Sequence, residues 1–346
     1  MSTATIPTQR KNLRSLPRIR TASVAGEDLR IRKILVPIDF SKGSLAAVKM
    51  ASLFSKRFGA DLHLVHVFEP DYSLSGLVAI PMILPELDVR RSVRRHLQAV
   101  ARRYASELCP ENVHAIKGQP FEEICRLARE SSTDLIVAST RGNTGFKHLA
   151  LGSTAERIVR YAPCPVLVLP TTAQRPRTGS QDKLNGSALR LGKILVPIDF
   201  SNCSGKGLVY AKSLAKRFGS RLVLLHTVAL QYYVTSDEYA RYDLPLLMQQ
   251  TEDAAREQMR DLVRTENWDG IEVEAVVQIG HAGEQVCARA EELGADAIVT
   301  STHGTTGLKH VLLGSTAEFI VRHARRPVFV VPTRERPKLN REPMCE

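Results

Sequence analysis

Two stretches of this chain carry residues spaced for anion chemistry, and they are copies of one another. They cover residues 134–170 and 296–332. Each reads as strand, glycine-bearing loop, helix, strand. Residues 135–138 and 297–300 are short apolar runs that stop at Ser139-Thr140 or Ser301-Thr302, with Gly142 or Gly304 following. Buried parallel strands have this form. The loop then leads to Gly152-Ser153-Thr154 or Gly314-Ser315-Thr316. Serine and threonine ahead of a helical run are N-cap signals, and Glu156 or Glu318 completes a capping box. A helix start approached by a glycine-rich loop offers backbone N–H groups that can hold phosphate oxygens. A plain crossover with a well-capped helix has the same local signature. Two copies with the same loop length and the same cap weigh against coincidence.

The rest of the chain repeats as well. KILVPIDFS opens at Lys33 and again at Lys193, placing Asp39 and Asp199 just past a strand, with Ser41 and Ser201 as helix caps. Those helices close on Lys56-Arg57-Phe58-Gly59 and Lys216-Arg217-Phe218-Gly219, basic residues followed by glycine. Strands are expected at 61–67 and 221–228, then long helices at 86–108 and 246–264. Further strands are expected at 113–117 and 271–278. Gly118 and Gly280 open loops into helices at 121–131 and 283–293, and the final strands cover 165–169 and 327–331. The order per half is β-α-β-α-β-α-β-α-β. It implies an α/β fold with two doubly wound parallel sheets. In such sheets ligands sit beyond the carboxyl ends of the strands, at the switch in strand order. The residues singled out above fall there.

The chain has 346 residues and a net charge of +12. That length suits two domains, each large enough to fold alone. Residues 1–30 read as a disordered basic tail, 172–190 as a Pro, Gly and Ser-containing linker, and 334–346 as a polar tail. Eight basic residues and two acids lie in residues 1–33, with no aromatic among them. The tail therefore lacks the stacking partners of single-strand binders, and no specific nucleic acid is expected. Its Arg/Ser-rich start has the composition of a transit peptide, but Pro7 and Pro17 interrupt any amphipathic helix. No membrane-spanning run is present. The six cysteines show neither CxxC nor zinc spacing, so reduced thiols and a cytoplasmic location are expected. Cys125 and Cys287 read as packing residues. Cys203, in the loop after a strand, reads as a surface thiol near the candidate site. The helix at 86–108 is strongly basic: a solvated face or, as a lesser option, a surface for an anionic partner.

With these residues in place, the chain resembles the universal stress protein family in its tandem two-domain form, over residues 31–171 and 191–333. The resemblance rests on KILVPIDFS, the His66-Val67 strand end and the G-x9-G-S element (Gly142 to Ser153; Gly304 to Ser315). The ATP-binding branch has G-x2-G-x9-G-[S/T]; here Ser139 and Ser301 replace the first glycine. The resemblance implies an adenine-nucleotide alpha-hydrolase-like, Rossmann-like fold and an intramolecular pseudo-dimer joined through its last strands, with further self-association left open. It implies ATP, with or without magnesium, as ligand. Adenine would meet backbone near Val67 and Thr227 and pack near Pro37-Ile38 and Pro197-Ile198. Asp39 and Asp199 would reach the ribose or a phosphate-bound cation. Gly142, Gly152, Ser153 and Thr154, with Gly304, Gly314, Ser315 and Thr316, would hold phosphates. Arg141 would add a charge-assisted contact, and His303 a weaker one. Neither a Walker motif nor an evident catalytic pair occurs. The expectation is an ATP-binding stress-response or regulatory protein with little or no turnover and no metal site of its own. The alternatives are a nucleotide-free dimerisation scaffold and a weak ATPase.

Overall fold

A computed structural model of the chain describes residues 29–69, 86–105, 108–140, 151–170, 189–229, 244–304 and 313–333. The expected tails, most of the linker, the segments after the second strand of each half and the loop holding Arg141 and Gly142 lie outside the described residues.

The first half contains β1 (Lys33–Pro37), β2 (Asp61–Phe68), β3 (Val113–Lys117), β4 (Leu135–Ser139) and β5 (Val166–Leu169). They alternate with α1 (Lys42–Phe58), α2 (Glu86–Tyr104), α3 (Pro120–Glu130) and α4 (Ser153–Tyr161). The second half repeats this with β6 (Lys193–Pro197), β7 (Arg221–Val228), β8 (Val273–Ile279), β9 (Ala297–Ser301) and β10 (Val328–Val331). Its helices are α5 (Asn202–Phe218), α6 (Leu244–Thr265), α7 (Ala282–Glu292) and α8 (Ser315–His323). The expected boundaries shift most at α2, which stops at Tyr104 rather than 108. Pro110 opens a short 3-10 turn and holds Cys109 extended, a conformation that a helix running on to Pro110 would not allow.

All ten strands form one sheet, ordered β3-β2-β1-β4-β5-β10-β9-β6-β7-β8. Pairing is parallel within each half. The strand order reverses between β1 and β4, and between β6 and β9. Helices cover both faces, so consecutive strand residues are all buried: Ile34 and Val36 face one layer, Leu35 the other. That explains continuous apolar runs in place of alternation. One layer contains α1, α2, α5 and α6; the other contains α3, α4, α7 and α8.

The halves join where β5 and β10 pair antiparallel, Phe329 opposite Leu167. This pairing covers two edges that would otherwise template aggregation. Near the same seam, Arg57 donates to the carbonyl of Arg217 at 2.8 Å, and Arg217 to that of Arg57 at 3.0 Å. Phe54, Phe58, Phe218 and Phe329 cluster with ring centroids about 6 Å apart, a spacing that favours edge-to-face contact.

Candidate functional site

The site forms where β6 and β9 separate. Pro197 ends β6, and Ile198 continues the ladder by donating its N–H to Leu225 at 2.8 Å. Asp199 follows; its Oδ1 accepts from the N–H and hydroxyl of Ser201 at 3.0 and 2.6 Å. Ser201 then caps α5 by accepting from the Ser204 N–H at 3.1 Å. Asp199 is therefore not the cap: it stands two residues before the cap Ser201, at the rim of a cavity. Between Asp199 and Ser201 the chain makes a left-handed step at Phe200, φ 60°, mirrored by Phe40, φ 63°. A bulky residue in this region costs about 1–3 kcal/mol. Phe200 packs on His226, centroids 4.7 Å apart, and Phe40 on His66 at 4.9 Å. His226 Nδ1 donates to the Ile198 carbonyl at 2.7 Å, and His66 to that of Ile38 at 2.6 Å. Burial lowers the His226 pKa, so its ring stays neutral and its Nε2 carries a lone pair. These four rings lock the strand end that presents Asp39 or Asp199. Residue typing missed them, although DFS and His66 were both repeated.

The other wall is the turn from β9 into α8. Gly314 N–H donates to the Thr302 carbonyl at 2.7 Å, and Gly152 N–H to that of Thr140 at the same distance. This corrects one expectation: those two N–H groups close the loop and are not offered to a ligand. A second correction concerns the cap. Gly152 and Gly314 are the N-caps, Ser153 and Ser315 are the first helical residues, and no side chain caps either helix. The expected capping box does not form, because Glu156 points to the seam. There it meets Arg322 of the other half and Arg160, both at 3.1 Å. The first intrahelical bonds are Glu156 and Glu318 N–H to Gly152 and Gly314. The N–H groups of residues 153–155 and 315–317 therefore precede any helical partner and are the ones able to meet an anion. Ser153 and Ser315 are exposed, and Thr154 and Thr316 half-buried, so hydroxyls flank those groups.

Gly304 shows why glycine occupies its position: a Cβ there would lie 2.5 Å from Asp199 Oδ2. Ser301, in place of the family's first glycine, turns its hydroxyl into the loop and donates to the His303 carbonyl at 2.8 Å. His303 Nδ1 lies 3.0 Å from Thr302 Oγ1 and 3.2 Å from Thr333 Oγ1. The imidazole is thus held at the rim by two threonines.

These parts enclose a cavity of about 270 Å³. Pro197, Ile198, Asp199, Thr227, Ser301, His303, Gly304, Gly314, Ser315 and Thr316 all line it; these are the second-half residues expected to meet a nucleotide. Ser204, Leu225, Ala282, Val286, Thr300 and Ala317 complete the lining. Ala282 and Val286 come from α7, which no motif marked; only packing brings that helix over the strand ends. In the first half, Pro37 ends β1, Ile38 and Asp39 follow it, Val67 lies in β2, and Ser139 ends β4. Gly152, Ser153 and Thr154 begin α4 as in the copy. Arg141 and Gly142 fall outside the described residues. Among the described residues, no three His, Cys, Asp or Glu side chains are grouped to hold a metal. Cys203 stands near Asp199; burial and that carboxylate raise its pKa, which opposes thiolate chemistry.

Comparison with known proteins agrees with this architecture. The family model described as the universal stress protein family matches residues 30–170 and 191–332. A universal stress protein of Mycolicibacterium smegmatis is 25% identical over 87% of this chain and 97% of its own length. One from Methanocaldococcus jannaschii is 32% identical over 42% of this chain and 84% of its own. Among solved structures, a universal stress protein from Archaeoglobus fulgidus shares the fold at TM-score 0.57 and 22% identity, covering 89% of this chain and all of that one. With two consecutive matches spanning both repeats, the chain belongs to the universal stress protein family in tandem form.

Proposed function

We propose that this protein binds ATP in each half and works as a cytoplasmic stress-response regulator with little or no turnover. One observation carries the reading: all ten second-half candidates line a single cavity at the switch in strand order, with the N-terminus of α8 on its wall. A helix start favours phosphate, Asp199 suits ribose hydroxyls or a phosphate-bound magnesium ion, and the apolar Ile198, Leu225 and Val286 suit a base. The β5–β10 pairing supports a second reading, in which the tandem chain is a nucleotide-free scaffold and an internal pseudo-dimer.

Gly314 has φ −63°, which any residue adopts, and a Cβ there meets its neighbours at 3.4 Å or more. Gly314→Asp should therefore fold while placing a carboxylate against the phosphates. At about 4 Å and an effective dielectric near 20, like charges repel by roughly 4 kcal/mol, above the helix-dipole term of about 0.3–2 kcal/mol. Titration calorimetry should give two ATP sites in the parent, one in Gly152→Asp or Gly314→Asp, and none in the double variant. A parent that neither retains nor binds ATP would leave the scaffold. Steady ADP release would make the protein an ATPase.

A further inference from the structure

The outer surface of α1 and α2 differs in charge from that of α5 and α6, although the repeat relates them. α1 carries exposed Lys42, Lys49, Lys56 and Arg57 and no acid. α2 adds Arg90, Arg91, Arg94, Arg95, Arg102 and Arg103, all exposed, against Glu86 and Asp88 in its first turn. Arg91 approaches Asp88 at 3.6 Å. In α6, three arginines are matched by acids: Arg256 with Glu252 at 2.5 Å, Arg260 with Glu257 and Arg264 with Asp261 at 2.7 Å. Two lysines of α5 are also paired, Lys212 with Glu266 and Lys216 with Asp269. The second half matches the arginines of α6 with acids of the same helix, whereas in α1 and α2 lysine and arginine far outnumber aspartate and glutamate.

The cations of α1 and α2 form one surface. Lys49 Nζ lies 4.8 Å from the centre of the Tyr104 ring, and Arg103 Cζ 5.3 Å from the same ring. Lys42, Lys49 and Lys56 recur every two turns, about 10 Å apart along one stripe. Arg91, Arg95 and Arg102 form a second stripe about 16 Å long on the neighbouring helix. Packed helices lie about 8–10 Å apart, and the Lys49–Tyr104 contact shows that the two helices carrying these stripes are neighbours.

We propose that this face binds the phosphate backbone of duplex nucleic acid without reading its sequence. A duplex presents one negative charge per about 1.7 Å of axis, and arginine forks grip phosphate oxygens in pairs. Protein interfaces deplete charge at their centre and place aromatic anchors there; here charge runs through the centre. Tyr104, the tyrosine of this face, is half-buried beneath Lys49, so its ring is not open to stack on an unpaired base. The surface is the solvent-facing side of α1 and α2, which do not line the second-half cavity, and the proposal does not depend on that cavity.

The test uses the full chain, a fluorescein-labelled DNA duplex of about 20 base pairs, and anisotropy at rising salt. With about five phosphates neutralised, affinity should fall several-hundred-fold between about 50 and 200 mM salt. The variant R91Q/R94Q/R95Q/R102Q should bind at least thirtyfold more weakly at low salt, with a salt slope shallower by about three. The matched lysine variant, R91K/R94K/R95K/R102K, should keep most of the binding, and R256Q/R260Q/R264Q should stay within twofold of the parent. Comparable thermal melts establish that each variant is folded. Duplex binding that survives the α2 glutamine variant overturns the proposal, as does no duplex binding at low salt. Sedimentation with phosphatidylserine vesicles but not with duplex overturns it in favour of a membrane surface. Capture of an acidic protein without duplex binding overturns it in favour of a protein partner.

Discussion

Position 63 in the first half is histidine; the matching position 223 in the second is valine. His114 beside it corresponds to Val276. The strands pair in the same register in both halves, Leu64 with Val113 and Leu224 with Ala275. Yet the first half half-buries two imidazoles, His63 Nδ1 and His114 Nε2 standing 3.1 Å apart with rings nearly parallel. Burial, then the charge of the neighbouring imidazole and of Lys33, lowers the His63 pKa to about 4, and burial lowers that of His114. The seam is uneven as well. Phe54 and Phe329 meet edge to face, where the repeat has Leu214 and Leu167. Tyr210 stands where the first half has Met50. The backbone plan tolerates either choice because a doubly wound sheet asks only that volume be filled and polar groups satisfied. What differs is how each half responds to pH, to truncation and to charge.

The largest effect is expected at the seam. Phe329 is fully buried and packs on Phe54 and Tyr210. Phe329→Ala should cost about 3–5 kcal/mol in urea denaturation. It should exceed Leu167→Ala by about 1 kcal/mol, the contribution of the aromatic pair. Equal losses would mean that the ring cluster adds nothing beyond its volume.

The histidine pair should make stability depend on pH. A histidine pKa held below its ordinary value means that the unfolded chain takes up protons first as pH falls. Stability is then full above about pH 6.5 and declines toward about pH 4. Discounted for the solvent that reaches these half-exposed rings, the loss is about 1–2 kcal/mol. Replacing both with the second half's valines, H63V/H114V, should flatten this part of the profile measured at several pH values. An unchanged acid slope would assign it to other groups.

The smallest effect is expected at Tyr210. Its hydroxyl is buried and has no hydrogen-bond partner among the described residues, and burial raises its pKa. Removing a buried, unmet hydroxyl is close to neutral or stabilising. Tyr210→Phe should therefore leave the melting temperature equal to the parent's or slightly higher, and a clear drop would reveal a water or other partner.

The sequence by itself determined the repeat, the strand and helix order, the helix caps at Ser41 and Ser201, and ten of the residues that line the second-half cavity. Those features are local: apolar run length, capping chemistry and glycine placement act over a few residues, and each was written twice. The tertiary structure decided what depended on distant neighbours. It drew Glu156 away from its expected capping role, because Arg322 of the other half lies within reach. It spent the Gly152 and Gly314 N–H groups on bonds to the Thr140 and Thr302 carbonyls, which lie just past the ends of β4 and β9. It brought Ala282 and Val286 of α7 over the cavity, and it held Phe40 and Phe200 left-handed by packing them on His66 and His226. Residue spacing encodes which groups share an element; which groups an element meets is settled only when the sheet closes and its helices pack.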